Sequence, residues 1–407
     1  MEAGLKNKAK KKEKWIKLRH RIVRDIAFTI LYPYCYFKFG ARIKPFKERN
    51  GRQFIVVFNH TTGFDQFFVG MCFKGAVYYM ATEDIFSKGF TSKLLKYLVN
   101  PIPIKKQTND LRAVLNCMHV ACEGGTIALA PEGNRTYSGR TTYIKPTIAQ
   151  LVKKLKLPLA VFRIEGGYGV QPRWSDVIRA GRINCYVARV VEPEEYAEMS
   201  DDELNAIIKE GLFVDEARAD AEFKSKKSAE YLERAMYVCP YCGLSEFESR
   251  KDTVECKKCG RKLKYLSTTE LSGVGFEFPY RFVADWYDYQ NAFINKLNVL
   301  EHTDSPLYTD NANLFEVIVY KSKKLIEKNV EIKLFGDRVV FGNGTVIPFS
   351  EASVFTVLGR NKLNIYHNGK IYQLKGGKRF NSLKYMNIFY RYKNMTEEVE
   401  NGEFLGI

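Results

Sequence analysis

From residue 54 onward, short apolar runs alternate with stretches of helical periodicity. Phe54-Ile55-Val56-Val57-Phe58 is short, β-branched and bounded by polar residues, which predicts a buried strand. A helix-like segment, Phe67 to Met71, follows, and Val77-Tyr78-Tyr79-Met80 has strand character. Ser92 to Val99 predicts a helix stopped before Pro101, and Ile102-Pro103-Ile104 is a short extended piece. Leu111, Val114, Leu115, Met118 and Cys122 fall at i, i+3, i+4 and i+7 spacing, a helix ended by Gly124 and Gly125. Strand-like Thr126 to Ala130, a helix from about Thr147 to Lys156, strand-like Leu157 to Phe162 and alternating Ile183 to Val191 complete the unit. This alternation predicts an α/β fold, a mixed and largely parallel sheet flanked by helices.

The pattern then changes. Residues 200–236 are charged and predict helix, with Ser200 as N-cap before an acidic first turn. Trp286 to Leu300 predicts another helix. From about residue 315, strands are separated by tight-turn pairs such as Asn368-Gly369, and a helix over Ser382–Tyr392 closes the chain. That end predicts a small β-rich, pleckstrin-homology-like domain, where Lys375, Lys378 and Arg379 are a solvated loop sooner than a headgroup site. The expected division is an N-terminal segment 1–50, an α/β domain 51–236, a cysteine-bearing module 237–268, and a linker helix with the β-rich domain over 269–407.

At 407 residues and 45% hydrophobic, the chain has room for more than one packed core. Its net charge of +18 points to a polyanionic partner, either nucleic acid or an anionic membrane. The charge is densest over residues 5–21, next to an apolar and aromatic stretch from Ile26 to Phe39. That stretch, interrupted by Pro33, is too short and broken to span a bilayer as one helix. It suits an interfacial anchor, with lysines on anionic headgroups and Tyr32, Tyr34, Tyr36 and Phe37 at the acyl boundary. The expected location is the cytoplasmic face of a membrane, peripheral and without a full span. Five scattered cysteines (Cys35, Cys72, Cys117, Cys122 and Cys185) are expected as core residues in a reducing compartment.

Two loops carry candidate chemistry. Asn59-His60-Thr61-Thr62-Gly63-Phe64-Asp65 follows the first strand. His60 and Asp65 would lie about 140° apart on a regular helix, so they meet only if residues 61–63 turn tightly and Asp65 starts the next helix. Gly63 makes such a turn inexpensive. The pair is the arrangement of a general base oriented by a carboxylate. Pro131-Glu132-Gly133-Asn134-Arg135-Thr136 follows a later strand, and on one sheet edge both loops face one pocket. There Arg135 offers a fork for phosphate, Gly133 lets backbone N–H groups approach, and Lys105 adds a positive charge.

A second constellation is Cys239-x2-Cys242 and Cys256-x2-Cys259, each pair followed by glycine. Such knuckles present four thiolates to one tetrahedral metal, a structural zinc by preference, although iron accepts the same ligands. The module is similar to a zinc ribbon. Acidic residues Glu246, Glu248, Asp252 and Glu255 interrupt its basic surface, so no nucleic acid is expected.

Residues 25–195 resemble the glycerolipid acyltransferases typified by lysophosphatidic acid acyltransferases. The resemblance rests on Asn59-His60 followed by Asp65, on Pro131-Glu132-Gly133-Asn134-Arg135-Thr136, and on Leu157-Pro158 before an apolar run. Ala130 and Asn134 depart from the family pattern, and Lys105 or Lys106 stands where it has an arginine. The resemblance implies transfer of a fatty acyl group from a thioester donor, acyl-CoA or acyl-carrier protein, to the hydroxyl of a lysophospholipid. The implied acceptor is 1-acylglycerol-3-phosphate and the product phosphatidic acid, with no acyl-enzyme. It makes His60 the base and Asp65 its orienter. Asn59, Lys105, Glu132, Gly133 and Arg135 form the substrate-binding set, with Glu132 positioning Arg135 or the acceptor and N–H donors near Gly133 serving the oxyanion. The competing expectation is a non-catalytic protein that binds lipid or nucleic acid through its ribbon and basic surface.

Overall fold

The computed structural model describes residues 14–82, 84–104, 110–218, 220–318 and 321–397. Lys105, Lys106 and the lysines before Lys14 lie outside them. Strands β1 (Ala41–Ile43), β2 (Ile55–Phe58), β3 (Val77–Thr82), β4 (Ile102–Ile104), β5 (Thr126–Leu129), β6 (Leu159–Glu165) and β7 (Ile183–Val191) form one sheet in the order β1-β7-β6-β2-β5-β3-β4. β6 and β7 pair antiparallel and the other neighbours pair parallel. The expected mixed, largely parallel sheet is present.

β2 is central, and its continuous apolar character has a direct cause. Val56 and Phe58 pack into one core layer and Ile55 and Val57 into the opposite one, so neither face tolerates a polar residue. Helices α1 (Leu18–Phe39) and α2 (Asp65–Cys72) cover the first face. Helices α4 (Leu111–Cys122), α5 (Thr147–Leu155) and α8 (Asp201–Leu212) cover the second. The remaining helices of this unit are α3 (Phe90–Val99), α6 (Gly167–Val170) and α7 (Pro193–Ala197).

Two local expectations are revised. α1 runs unbroken through Pro33, and Gly40 ends it in a left-handed conformation. Residues 200–236 are not one helix. Ser200 and Glu203 form a capping box for α8, which stops at Leu212. Beyond it the chain is largely irregular, because Phe223, Ala229 and Leu232 reach core positions at spacings no single helix supplies. Four of the scattered cysteines are buried as expected, while Cys122 is exposed.

After this unit, β8 (Val238–Cys239) and β9 (Gly243–Leu244) form one hairpin. β10 (Phe247–Arg250), β11 (Thr253–Cys256), β12 (Lys262–Tyr265) and β13 (Leu271–Gly273) form an antiparallel meander. α9 (Val283–Lys296) leads to the C-terminal strands β14 (Tyr308–Ile318), β15 (Ser322–Leu334), β16 (Arg338–Phe341), β17 (Val346–Pro348), β18 (Ala352–Leu358), β19 (Lys362–His367) and β20 (Lys370–Gly376). They pair antiparallel in the order β17-β16-β15-β14-β20-β19-β18, and α10 (Leu383–Thr396) packs on them. This is the expected pleckstrin-homology-like arrangement. Asn368 and Gly369, both with positive φ, make the tight β19–β20 turn.

One apolar core joins the modules. Tyr137, Tyr168 and Trp174 of the α/β unit pack with Val254 and Tyr265 of the meander and with Leu363 and Phe389 of the C-terminal domain. Arg140 adds an ion pair to Asp285 of α9 at 2.8 Å. Of the C-terminal basic residues, Arg379 pairs with Glu230 and Glu233, which makes it a structural cation.

Candidate active site

β2 lies between β5 and β6, so the loops after β2 and β5 emerge side by side at the same sheet edge. Two hydrogen bonds tie them. The His60 N–H donates to Glu132 Oε1 at 2.7 Å, and the Thr136 N–H donates to the His60 carbonyl at 3.1 Å. A third loop, after β6, packs beneath them. A Cβ on Gly167 would come within 2.2 Å of Thr61 Oγ1, so glycine there lets the loops close.

Asp65 is the first residue of α2 and is fully buried. Its carboxylate accepts the Thr61 N–H at 2.8 Å, the Thr62 N–H at 2.9 Å and the Thr62 hydroxyl at 2.6 Å. These bonds close the turn, and the helix N-terminus favours the negative charge. Gly63, expected to ease the turn by its conformational freedom, has no left-handed φ; the aspartate does that work. Asp65 Oδ2 also lies 2.7 Å from His60 Nδ1. An ionised carboxylate only accepts, so Nδ1 carries the proton and Nε2 holds the free lone pair. His60 keeps 26% of its side-chain area open to solvent, against none for Asp65, so its ring can be reached from outside. Burial holds the His60 pKa below its ordinary value; Arg135 and Arg173 push the same way, and Asp65 opposes. The ring is therefore neutral at pH 7 and ready to accept a proton.

Glu132 is buried, and both its oxygens are used within the protein. Oε1 holds the His60 N–H, and Oε2 accepts the Thr142 N–H at 2.8 Å and the Thr142 hydroxyl at 2.9 Å. It makes no ion pair with Arg135 among the described residues, and the groups it holds are those of His60 and Thr142. Burial raises its pKa to about 7, against those hydrogen bonds. Asn59 likewise spends its side-chain amide internally. Its Nδ2 donates to the Ile164 carbonyl, and its Oδ1 accepts the Ile164 N–H, each at 2.8 Å. These two bonds clip the end of β2 to β6.

Gly133 adopts a positive φ of 69°, and a Cβ there would meet nothing within 4 Å, so the backbone is open to an incoming group. Arg135 Nη1 is buried without a hydrogen-bond partner among the described residues. It lies about one van der Waals contact from the Gly63 turn, 4.0 Å from the position a Cβ would take. Burial, then Arg173 and Arg360, lower the Arg135 pKa to about 10, which leaves it charged at pH 7. Lys105 lies outside the described residues.

Several participants carry no motif. Thr61, Thr62 and Thr142 act through backbone N–H groups, which any residue type can offer. Arg173 is buried; it donates to the Arg135 carbonyl at 2.7 Å and stacks on Tyr137 at 4.2 Å. An arginine inside a tryptophan-containing loop was the sole sequence signal.

The four ribbon cysteines converge, with all their sulfurs within 4.8 Å of one another. Cys239 and Cys259 are 3.8 Å apart and Cys242 and Cys256 3.5 Å, far beyond a disulfide bond. Tetrahedral zinc thiolates at roughly 2.3 Å place sulfurs roughly 3.8 Å apart, so the cluster fits a structural zinc with no open ligand position.

Among known proteins, the Acyltransferase family model matches residues 43–165, the segment that holds both loops. No curated protein matches the chain. The crystal structure of the 1-acyl-sn-glycerophosphate (LPA) acyltransferase PlsC from Thermotoga maritima is similar at 21% identity and a TM-score of 0.37. The similarity covers 47% of this chain and 75% of that one.

Proposed function

We propose that this protein transfers a fatty acyl group from a thioester donor to the hydroxyl of a lysophospholipid, 1-acylglycerol-3-phosphate by preference; the match of the Acyltransferase family model to residues 43–165 supports this reading. The observation that carries the reading is the His60–Asp65 pair at 2.7 Å, beside Arg135, whose buried Nη1 has no hydrogen-bond partner among the described residues.

In this mechanism His60 Nε2 takes the proton of the acceptor hydroxyl as its oxygen attacks the thioester carbonyl. Asp65 orients the ring and stabilises the imidazolium. Collapse of the tetrahedral intermediate expels the thiolate, which the imidazolium protonates, so His60 returns to its starting state. N–H donors near Gly133 serve the oxyanion, and Arg135 holds the acceptor phosphate. No acyl-enzyme is required, since no serine or cysteine accompanies the His60–Asp65 turn.

A membrane surface is part of the same proposal. Among the described residues no helix is long and apolar enough to cross a membrane. α1 instead exposes Leu18, Ile22, Ile26, Ile30 and Phe37, and α3 exposes Phe90, Leu94 and Tyr97. Arg19 stacks on Tyr97 at 3.9 Å and joins the two helices. Phe39 at the end of α1 contacts Phe64, the residue before Asp65, with ring centroids 4.5 Å apart. The apolar stripe thus ends beside the base, where a lysolipid would arrive from an anionic bilayer.

The test is a lysolipid panel with labelled acyl-CoA and acyl-carrier-protein donors, on purified wild type and His60→Ala. Transfer by the wild type and its loss in the variant are expected. A fully active His60→Ala enzyme would sink the mechanism.

A further inference from the structure

The β18–β19 turn of the C-terminal domain reaches the acyltransferase site. Arg173 bridges the two: Nη1 donates to the Arg135 carbonyl at 2.7 Å and Nε to the Gly359 carbonyl at 3.2 Å. Gly359 precedes Arg360, so one guanidinium spans the gap between the backbones that carry Arg135 and Arg360. A second contact reinforces the docking. Lys323 of β15 pairs with Asp84 after β3, and the Gly89 N–H donates to the Lys321 carbonyl at 3.0 Å.

The charges at this junction do not balance. Asp176 pairs with Arg234 at 2.9 Å and with Arg360 at 3.1 Å, while the cations acting on Arg135 are Arg173 and Arg360. Among the described residues, no carboxylate lies within ion-pair distance of Arg135 or Arg173. Arg135 Nη1 and Arg360 Nε are both buried without a hydrogen-bond partner there. Buried, unsatisfied guanidinium nitrogens are costly, and gathering like charges adds repulsion, unless an anion joins them. A phosphomonoester suits them: it carries up to two negative charges and accepts forked N–H pairs from two arginines at once.

We propose that Arg360 belongs to the substrate pocket and holds a phosphomonoester together with Arg135, so that the C-terminal domain completes the site and sets headgroup preference. The identity of the lipid acceptor rests on the function proposed above; the phosphate site itself does not. Arg360 thereby supplies a second guanidinium, from a different domain than Lys105.

The test compares wild type, Arg360→Gln and Arg360→Lys in three assays: acceptor kinetics with 1-acylglycerol-3-phosphate and with its phosphocholine counterpart, donor kinetics, and direct titration with glycerol 3-phosphate and inorganic phosphate. Arg360→Gln is expected to raise the KM for the phosphomonoester acceptor about tenfold, roughly one charge-assisted contact, with kcat within about threefold. The phosphocholine acceptor should be little affected, and Arg360→Lys should recover part of the loss. A rise in the donor KM alone assigns the phosphate to the donor and not to the acceptor. Unchanged KM values and unchanged phosphate binding in both variants overturn the proposal. If the wild type acylates no lysolipid, the proposed function falls; the phosphate site then stands if glycerol 3-phosphate binds in an Arg360-dependent way, and falls if it does not. Should Arg360→Gln fail to fold, Arg360→Lys decides by the same titration: weakened binding supports the site, and unchanged binding overturns it.

Discussion

The backbone N–H of His60 donates to the Glu132 carboxylate, so the proposed base is held by a residue 72 positions later. Glu132 also grips Thr142 through its other oxygen. Glu132→Gln must present an amide NH2 toward either the His60 or the Thr142 N–H, which leaves a donor unmet at about 1–3 kcal/mol. The expected result is a kcat reduced by about 10- to 100-fold, through displacement of His60, with a smaller change in KM. Steady-state kinetics in both substrates check this.

The same carboxyl links pH to stability. Its folded pKa of about 7 stands above the ordinary 4.5, so the folded state binds its proton more tightly than the unfolded chain. The resulting stability is fully present below the unfolded value and is lost as pH rises through about 7. Glu132→Gln should flatten the change in Tm between pH 5 and pH 8. A wild-type pH slope retained in the variant would assign it to other groups.

His60→Ala and Asp65→Asn separate base from orienter. The first should abolish turnover with little change in Tm, since the ring is partly exposed. The second should cost about 10²- to 10⁴-fold in kcat and also lower Tm, because Asp65 closes the turn through Thr61 and Thr62. In wild type, kcat/KM should fall on acidification with an apparent pKa below 6.5, the ordinary histidine value. Arg135→Gln removes one of the positive charges that depress it, so the His60 pKa read by NMR should move up.

Metal removal should act at a distance. The ribbon shares its core with both other domains, so Cys256→Ser or a strong chelator should lower the Tm of the whole chain and reduce activity. Elemental analysis should find about one zinc per chain, and none in the variant.

The exposed stripe makes a separate claim. Ile26→Glu with Leu94→Glu puts two charges on the apolar faces of α1 and α3, both already exposed, so Tm should hold. Sedimentation with anionic vesicles should show binding weakened about tenfold or more.

Much of this molecule is determined by local sequence. The run from Phe54 to Phe58 has to be a strand buried on both faces, because only burial tolerates five consecutive apolar residues there. Asn368-Gly369 has to be a tight turn, and the Cys-x2-Cys pairs have to be knuckles. His60, Asp65, Glu132 and Arg135 were legible as a set because their loops follow two parallel strands of one sheet. Their division of labour was decided by tertiary structure. The Glu132 role depends on which N–H groups surround it, and the helix spacing of residues 60 and 65 says nothing about a carboxylate folding back onto Thr61 and Thr62. Arg173 and Arg360 sit in no motif; Arg173 reaches the Arg135 carbonyl from another loop of the same unit, and Arg360 comes near Arg135 only because two domains share a core. Periodicity encodes burial along one element. Contacts between residues hundreds of positions apart depend on how the elements pack, and the chemistry of this site is set there.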